Sequence, residues 1–407
     1  MSRLRGPAVA WVFLAFALAY FFSALVRAIT ATLSPLLSQE FQLQAADLGL
    51  LAGGYFMGFA AMQLPLGAWL DRHGPRRVIL AFLGVAVVAC AAFALARSFS
   101  GLFIARVLSG VGLAACLMAP LTGFRRWLDA PTQLRANSWM LMTGSMGMVA
   151  ATLPVQWLLP LIGWRTLFWL LAALLLLAMA VLVWRVPRWE VAPADSAQPV
   201  RYRDVWRHPY FRRLTPLGFF NYGGMVAIQT LWVVPWMTRV AGTDATAAAA
   251  ALFGINLAML LTFWSWGLLT PRLARRGIHA DRLMTWGTPL SLLALAVIVA
   301  VGPQAGAGAA WLWGLFCVSS TFLSLAQPAV GLAFPAEQAG RALSAYNLVI
   351  FAGVFAVQWG IGLGIDALRA LGADMAQAFR GALAVLLLCN VGAYLYYLRG
   401  GHNPQQP

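Results

Sequence analysis

The sequence contains no lysine: all 28 of its basic residues are arginine. Charged residues make up 10% of its 407 residues, whereas hydrophobic residues make up 61%. A soluble domain of this composition would have too little polar surface to cover itself. The scarcity of charge therefore excludes an ordinary soluble protein. The recurring apolar runs of about twenty residues, each long enough to cross a hydrocarbon core ~30 Å thick, predict an integral membrane protein.

Cysteine and histidine are equally scarce, with four residues of each. The cysteines lie inside apolar runs without C-x-x-C spacing, which is typical of small buried hydrophobic residues. The histidines lie outside these runs, so they indicate neither a nucleophile–base pair nor a metal cluster. We therefore expect no enzyme activity, no metal and no cofactor. The residues are Cys90, Cys116, Cys317 and Cys389, and His73, His208, His279 and His402.

Twelve apolar spans, separated by charged or Pro- and Gly-containing breaks, account for most of the chain. They predict an all-α integral membrane protein with twelve transmembrane helices. The formal net charge of +16 does not indicate nucleic-acid binding, because the arginines lie in short groups between the spans and not on one basic surface. The predicted spans are 8–36, 47–70, 78–97, 101–123, 137–160, 166–185, 214–238, 247–270, 283–302, 309–333, 342–364 and 379–398.

The distribution of arginine predicts the orientation of the protein. With both termini in the cytoplasm, 21 arginines lie on the cytoplasmic side and five on the outer side. An excess of arginine is typical of cytoplasmic segments. The arginines on the cytoplasmic side are also suited to contact anionic lipid headgroups. We therefore expect a multi-pass protein of a bacterial-type inner membrane. The outer five are Arg97, Arg165, Arg239, Arg369 and Arg380, and a further two, Arg27 and Arg106, lie within spans.

The two halves of the chain resemble each other. Gly67 and Arg72 recur 200 positions later as Gly267 and Arg272, and the tripeptide VQW of span five returns in span eleven. Because both matches join equivalent spans, they indicate an internal duplication, as in many transporters.

The duplication predicts two six-helix bundles in a monomer. We expect the bundles at 1–185 and 214–407, joined by a cytoplasmic linker at 186–213. The end of the linker, RDVWRHPYFRRL, is either a short interfacial helix or a solvated basic segment.

The stretch GAWLDRHGPRRV, residues 67–78, places a dense charge cluster between spans two and three. Its pattern, G-x-x-x-D-[RK]-x-G-x-[RK]-[RK], resembles the signature of the major facilitator superfamily. The resemblance implies a twelve-helix transporter whose cluster gates the cytoplasmic side. A carboxylate near a helix N-terminus is stabilised by the unpaired N–H groups there, so Asp71 is expected to hold the start of span eleven. The matching positions are Gly67, Asp71, Arg72, Gly74, Arg76 and Arg77.

Arg27 is the principal candidate for contact with a solute. Moving a charge to the centre of a span is unfavourable by ~2.5–3.5 kcal/mol on insertion scales, so such residues are functional hypotheses by default. Arg27 shares a helix face with Tyr20 and Ser23, and we expect this polar face to line a central cavity. The alternative is that Arg27 reaches out to the membrane surface.

The surroundings of Arg27 resemble the anion:cation symporter branch of the superfamily, through Gly49 and the segment QLPLGAWLDR. There the first-helix arginine binds the carboxylate of the substrate, a role that suits the planar guanidinium fork. The organophosphate antiporters add an arginine in helix seven, whereas Ala227 stands at the corresponding position here. The resemblance therefore favours a monocarboxylate over a phosphate dianion.

Arg106 opens the segment RVLSGVG in span four, which resembles the R-x-x-x-G-x-G pattern of the superfamily, and Gly110 permits close helix packing. In the sugar-acid symporters an acid seven positions later carries the coupling proton, but Leu113 stands there. No acid or histidine falls in the middle of a predicted span, and Asp47 and Asp366 come nearest. We therefore expect anion exchange or facilitated uptake.

Several other polar residues lie within spans. Each of them either lines the solute site or bonds a neighbouring helix. They are Tyr55 and Gln63 in span two, Gln156 in span five, Asn221, Gln229 and Trp232 in span seven, and Gln358 in span eleven.

The leading prediction is a secondary transporter that moves a small organic anion by alternating access. A drug or metabolite efflux transporter is the first alternative, although span five lacks the G-P-x-x-G-G pattern of antiporters. A copper importer is a second alternative, since Met142 and Met146 lie one helical turn apart and thioethers bind Cu(I). A sensor that binds a solute without moving it is a third.

Overall fold

The computed structural model describes residues 6–188 and 202–399. These residues are helical apart from short connections, and none of them forms a strand. Their helices make twelve passes, α1 to α12. The passes are α1 (Pro7–Phe41), α2 (Ala45–Ala61, continued by 63–73), α3 (75–95), α4 (Phe99–Leu113 and Ala115–Trp127), α5 (Ala130–Ala150, continued by 153–162), α6 (164–185), α7 (Pro209–Arg239), α8 (Ala245–Arg275), α9 (Ala280–Val301), α10 (from Ala309–Ser320 to Ala326–Leu332), α11 (Ala336–Ala370) and α12 (Met375–Arg399).

The described helices have the length and composition of membrane spans. Nine helical stretches among them are long and apolar enough to cross a membrane, and the 53 residues of Ala280–Leu332 hold two passes. The remaining two passes begin with Ala45–Ala61 and Ala130–Ala150. The fold is therefore the predicted all-α membrane protein.

Two glycines reverse the chain between consecutive passes. Gly74 has φ 76° and ψ 161°, a conformation that glycine adopts without a steric penalty. The rings of Trp69 and Phe82 on either side of it lie 5.8 Å apart, whereas thirteen residues of straight helix would separate them by about 20 Å. Gly163 has φ 72° and ψ 160°, and it separates α5 from α6.

Contacts within each half tie six passes into a bundle. In the first bundle, Arg76 Nη2 donates a hydrogen bond to the carbonyl of Val183 at 2.6 Å, and Phe93 stacks on Phe168 with ring centroids 4.1 Å apart. These two contacts show that α3 and α6 are antiparallel. In the second bundle, the buried ion pair of Arg213 and Asp281, 3.2 Å long, joins α7 to α9.

Consecutive passes run in opposite directions, so the connections between them lie on two opposite faces of the molecule. The Asp71 face holds the α2–α3 turn and the starts of α1, α7 and α11, and the Asp366 face holds the α1–α2 connection and the ends of α7 and α11. α7 begins at Pro209 and not at the predicted 214, because proline is well suited to the first turn of a helix. Two π-helical segments, Leu217–Tyr222 and Ile228–Trp232, interrupt α7, and such segments are frequent at functional sites.

The linker contains a short helix, Tyr202–Arg207, where the sequence allowed an interfacial helix. Val205 is buried in it, and Trp206 is exposed. The preceding residues, 189–201, lie outside the described residues.

Candidate functional site

Arg27 lies part-buried on α1, at the boundary between the two bundles. Its Nη2 atom is 3.8 Å from the sulfur of Met148 on α5. No carboxylate within residues 6–188 and 202–399 forms an ion pair with it. The Arg27 guanidinium is therefore a part-buried cation within a candidate membrane span, and no described carboxylate forms an ion pair with it.

Two tyrosines, one from each bundle, lie near this cation, and Tyr20 lies on the same helix as Arg27. Tyr20 packs against α5 so closely that a Cβ on Gly144 would lie 2.5 Å from its ring. Tyr55 of α2 and Tyr222 of α7 both lie in the electrostatic field of Arg27. Residues of both bundles thus lie within electrostatic range of Arg27.

Other predicted site residues point elsewhere. Ser23 donates to the carbonyl of Leu113 on α4 at 3.4 Å, and Gln63 donates to the carbonyl of Phe59 in its own helix at 3.2 Å. Gln156 is only partly buried near the Asp366 face. The contacts of Ser23 and Gln63 thus lie within the first bundle.

The amide nitrogens of Gln358 and Asn221 are also occupied, whereas Gln358 Oε1 and Asn221 Oδ1 are buried without a hydrogen-bond partner among the described residues. Gln358 is fully buried and its side chain donates to Thr230 Oγ1 at 2.9 Å, while its backbone carbonyl accepts from Trp232 Nε1 at 3.2 Å. Asn221 donates to the carbonyl of Asn390 on α12 at 3.3 Å. In this structure these three predicted residues bond neighbouring helices of the second bundle.

Gln229 belongs to a chain of hydrogen bonds that crosses between the bundles. It donates to Asn256 Oδ1 on α8 at 2.6 Å, and Asn256 donates in turn to the carbonyl of Met148 at 3.3 Å. Because Met148 also contacts Arg27, the chain links the cation to the second bundle. Asn256 was not predicted, and its only sequence signal is a lone amide within an apolar span.

Arg106 lies at the level of Arg27 and away from the Gly67–Arg77 cluster. It is fully buried, and its Nη1 donates to the carbonyl of Val26 at 2.9 Å. Gly110, one turn further on, packs so closely against α2 that a Cβ there would overlap the carbonyl of Tyr55. This glycine therefore has the packing role that the sequence indicated.

The bundles are joined most tightly on the Asp366 face. The carboxylate of Asp366 on α11 accepts hydrogen bonds from the backbone N–H groups of Ala45 and Ala46, at 3.1 and 2.7 Å. A Cβ on Gly49 would overlap the carbonyl of Gln358, and one on Gly362 would overlap that of Ala45. α2 and α11 thus touch backbone to backbone, and Asp366 caps α2.

A cavity of about 490 Å³ lies beside this contact, between α1 and α7. Arg239 supplies its positive charge and interacts with Asp366. The other residues that line it are Ser34, Pro35, Ser38, Gln39, Gln42, Leu43, Gln44, Leu48, Pro235 and Thr238.

The charge cluster of the Asp71 face is largely exposed, including Arg72, Arg77 and Asp71 itself. Asp71 interacts with Arg125 at the end of α4 and with Arg341 near the start of α11. Gly67 faces open space. Asp71 is therefore near the start of α11.

The linker helix reaches the first bundle on the same face. Tyr202 donates to the carbonyl of Leu64 on α2 at 3.4 Å. Burial raises the pKa of the Tyr202 hydroxyl, and the nearby charge of Arg341 opposes this shift. The linker therefore contacts α2 close to the cluster.

Met142 and Met146 are exposed on α5, with 39% and 55% of their surface accessible. The described residues contain no group of three or more His, Cys, Asp or Glu side chains able to hold a metal ion. A Cu(I) site would need both thioethers in one enclosed coordination shell, which these positions do not provide.

Comparison with known proteins assigns the chain to a family. The sequence pattern of the Major Facilitator Superfamily matches residues 16–357. The cis,cis-muconate transport protein of Acinetobacter baylyi is 24% identical over 403 residues, covering 90% of this chain and 89% of that protein. The "Probable sulfoacetate transporter" of Cupriavidus necator is 24% identical over 245 residues, which are 56% of each protein. The chain thus spans little more than half the length of this second relative.

A solved structure has a similar fold. The crystal structure of a D-xylose-proton symporter superposes with a TM-score of 0.79 at 15% identity, covering 98% of this chain and 99% of that one. At this identity the likeness shows the fold alone.

Proposed function

The chain belongs to the major facilitator superfamily, and on that premise we propose that it is a secondary transporter that moves a small organic anion by alternating access. The relatives support this class of solute, since cis,cis-muconate and sulfoacetate are both small organic anions.

The observation that carries the proposal is the unbalanced charge of Arg27. A membrane-embedded cation at the boundary of the bundles, with no described acid to pair with, is suited to a solute that brings its own negative charge. The guanidinium fork takes a carboxylate through two parallel hydrogen bonds. Met148 and Asn256 would then relay solute binding at Arg27 to the second bundle.

Two acids would act as gates on opposite faces. Asp366 holds α2 against α11 on its face, and Asp71 would hold the start of α11 on the other when the bundles rock. We place the Asp71 face in the cytoplasm of a bacterial-type inner membrane, because the excess of arginines lies there. Its exposed arginines would contact anionic headgroups, and one monomer would hold a complete pathway.

The test is counterflow in proteoliposomes that hold the purified protein and an excess of unlabelled cis,cis-muconate. Labelled muconate outside should accumulate transiently with the wild-type protein and not with Arg27→Gln. Arg97→Gln, which changes an exposed arginine between α3 and α4, is the matched control and should behave as wild type.

Each other outcome has a separate meaning. Equal counterflow by Arg27→Gln would remove Arg27 from the solute site. Binding of muconate without counterflow would identify a sensor. No response to any small organic anion in a panel of carboxylates and sulfonates would overturn the proposed class of solute.

A further inference from the structure

Arg106 is a second buried cation that the mechanism so far leaves unused. Its side chain is fully buried in α4, and its one hydrogen bond runs from Nη1 to the carbonyl of Val26. Its Nε and Nη2 groups are buried and have no hydrogen-bond partner among the described residues. A buried guanidinium with two unused donors is an expensive arrangement in a membrane unless it has a function.

Tyr55 adds a third unused donor at the same place. Its hydroxyl is buried without a hydrogen-bond partner among the described residues, and its ring centroid lies 5.1 Å from the Cζ atom of Arg106. The close packing of Gly110 and Gly58 in the α2–α4 contact holds the two side chains together.

These donors adjoin the Arg27 site. Arg106 bonds the carbonyl of Val26, the residue just before Arg27, and the charges of both arginines act on Tyr55. An arginine has no acceptor. The two cations and the Tyr55 hydroxyl therefore match a ligand that presents acceptor oxygens at two separate points.

We propose that the transported solute is a dianion with two separated acidic groups, one bound by Arg27 and the other by Arg106 with Tyr55. This inference rests on the proposed function and narrows it, since Arg27 alone would suit a monocarboxylate. The Tyr55 ring lies against Arg106 in this structure, so the Tyr55 side chain must turn aside when the second acidic group binds.

Titration calorimetry on the purified full-length protein tests the inference with matched ligands. The probes are cis,cis-muconate and adipate, each compared with its monomethyl ester, which keeps the carbon chain and removes one charge. The wild-type protein should bind each dianion about tenfold or more tightly than its ester, the gain expected of one additional charge-assisted contact.

Two variants should remove this preference. Arg106→Gln and Tyr55→Phe should weaken binding of the dianion towards that of the ester and leave the ester unchanged, whereas Arg97→Gln should retain the wild-type preference. Tyr55→Phe keeps the buried ring, so it provides the test if Arg106→Gln does not fold.

The outcomes separate this inference from the proposed function. Equal binding of dianion and ester by the wild-type protein overturns the inference and leaves an organic-anion transporter standing. Equal losses for both ligands in Arg106→Gln and Tyr55→Phe also overturn it, because they identify a purely structural role. Binding of neither ligand, with no response to other organic anions, counts against the proposed function itself.

Discussion

The carboxylate of Asp366 lies 2.7 Å from the backbone nitrogen of Ala46, and this contact joins the end of α11 to the start of α2 across the two bundles. Ala45 donates to the second carboxylate oxygen at 3.1 Å. Capping by an anion satisfies two N–H groups that a helix start leaves unpaired, and it adds a favourable interaction with the helix dipole. The Asp366 side chain thus holds α2 and α11 together on the Asp366 face.

Asp366→Asn should loosen this gate. The variant keeps the shape of the side chain but loses the charge, whose interaction with a helix N-terminus contributes ~0.3–1 kcal/mol, or up to ~2 kcal/mol when partly buried. A loss of about 1 kcal/mol would shift the ratio of closed to open molecules roughly fivefold. The measurement is the labelling rate of Leu48→Cys, a buried position that lines the cavity beside the gate.

Asp374→Asn is the control for this experiment. Asp374 caps the start of its own helix, α12, by accepting from Gln377 at 2.7 Å, and it does not join the bundles. Its variant should leave the labelling of Leu48→Cys unchanged. An unchanged rate in Asp366→Asn as well would mean that helix packing alone closes this face.

Gly362→Ala should act on the same gate by steric contact. The added Cβ would overlap the carbonyl of Ala45, and overpacking of this kind is typically unfavourable by about 1–3 kcal/mol. Closure of the Asp366 face should therefore weaken, with faster labelling of Leu48→Cys and slower counterflow. Gly360→Ala lies on the same helix in open space and should match wild type; equal effects of the two would point to general destabilisation of α11.

The sequence was sufficient for the fold because its signals are local. Charge clusters and glycines mark the turns, and Gly74 and Gly163 fall in the predicted breaks between spans. The arrangement of Arg27 and Tyr20 on one face follows from helical periodicity alone. Their binding of a solute stays a prediction.

The gate on the Asp366 face was not predictable, because it depends on which helix ends meet across the bundles. The partners of Asp366 are the backbone N–H groups of two alanines. The identity of these residues in the sequence does not reveal that their backbone groups bind Asp366. The amide side chains in the middle of the spans show a second limit of prediction from sequence. Gln358 and Gln229 look alike in sequence, yet one locks α7 to α11 and the other joins the chain of hydrogen bonds to the first bundle.

Asn256→Ala should uncouple solute binding from closure of the gate. The variant removes the hydrogen bonds to Gln229 and to the carbonyl of Met148, and such bonds between membrane helices contribute about 0.6 kcal/mol on average. Muconate should still raise the melting temperature of the variant, but it should change the labelling of Leu48→Cys less than in wild type. Thr262→Ala, whose hydroxyl bonds only its own helix, is the control. A normal labelling response in Asn256→Ala would exclude this relay.

Asp281→Asn should destabilise the second bundle. Asp281 and Arg213 are both buried, and Tyr210 donates to the same carboxylate at 2.6 Å. Removing one partner of a buried pair leaves an uncompensated charge and typically lowers stability by about 3–5 kcal/mol. Thermal unfolding in detergent should therefore occur well below the wild-type temperature, whereas Asp204→Asn, an exposed change in the linker helix, should have no effect. Wild-type stability in Asp281→Asn would show that the pair does not hold the bundle.

The last prediction concerns the coupling of transport to energy. The two acids that come nearest the middle of a predicted span are both engaged as helix caps, since Asp47 accepts from the backbone of Gln44 at 3.1 Å and Asp366 caps α2. Both carboxylates are thus occupied by backbone N–H groups at the start of α2. We therefore expect a pH gradient imposed on empty proteoliposomes to drive little uptake, and an anion trapped inside to stimulate uptake strongly without a gradient. Asp47→Asn should leave this dependence on trapped anion intact. Strong accumulation driven by the gradient alone, persisting when Asp47 and Asp366 are both replaced by asparagine, would instead show that a proton travels with the solute, for example on its own carboxyl group beside Arg27.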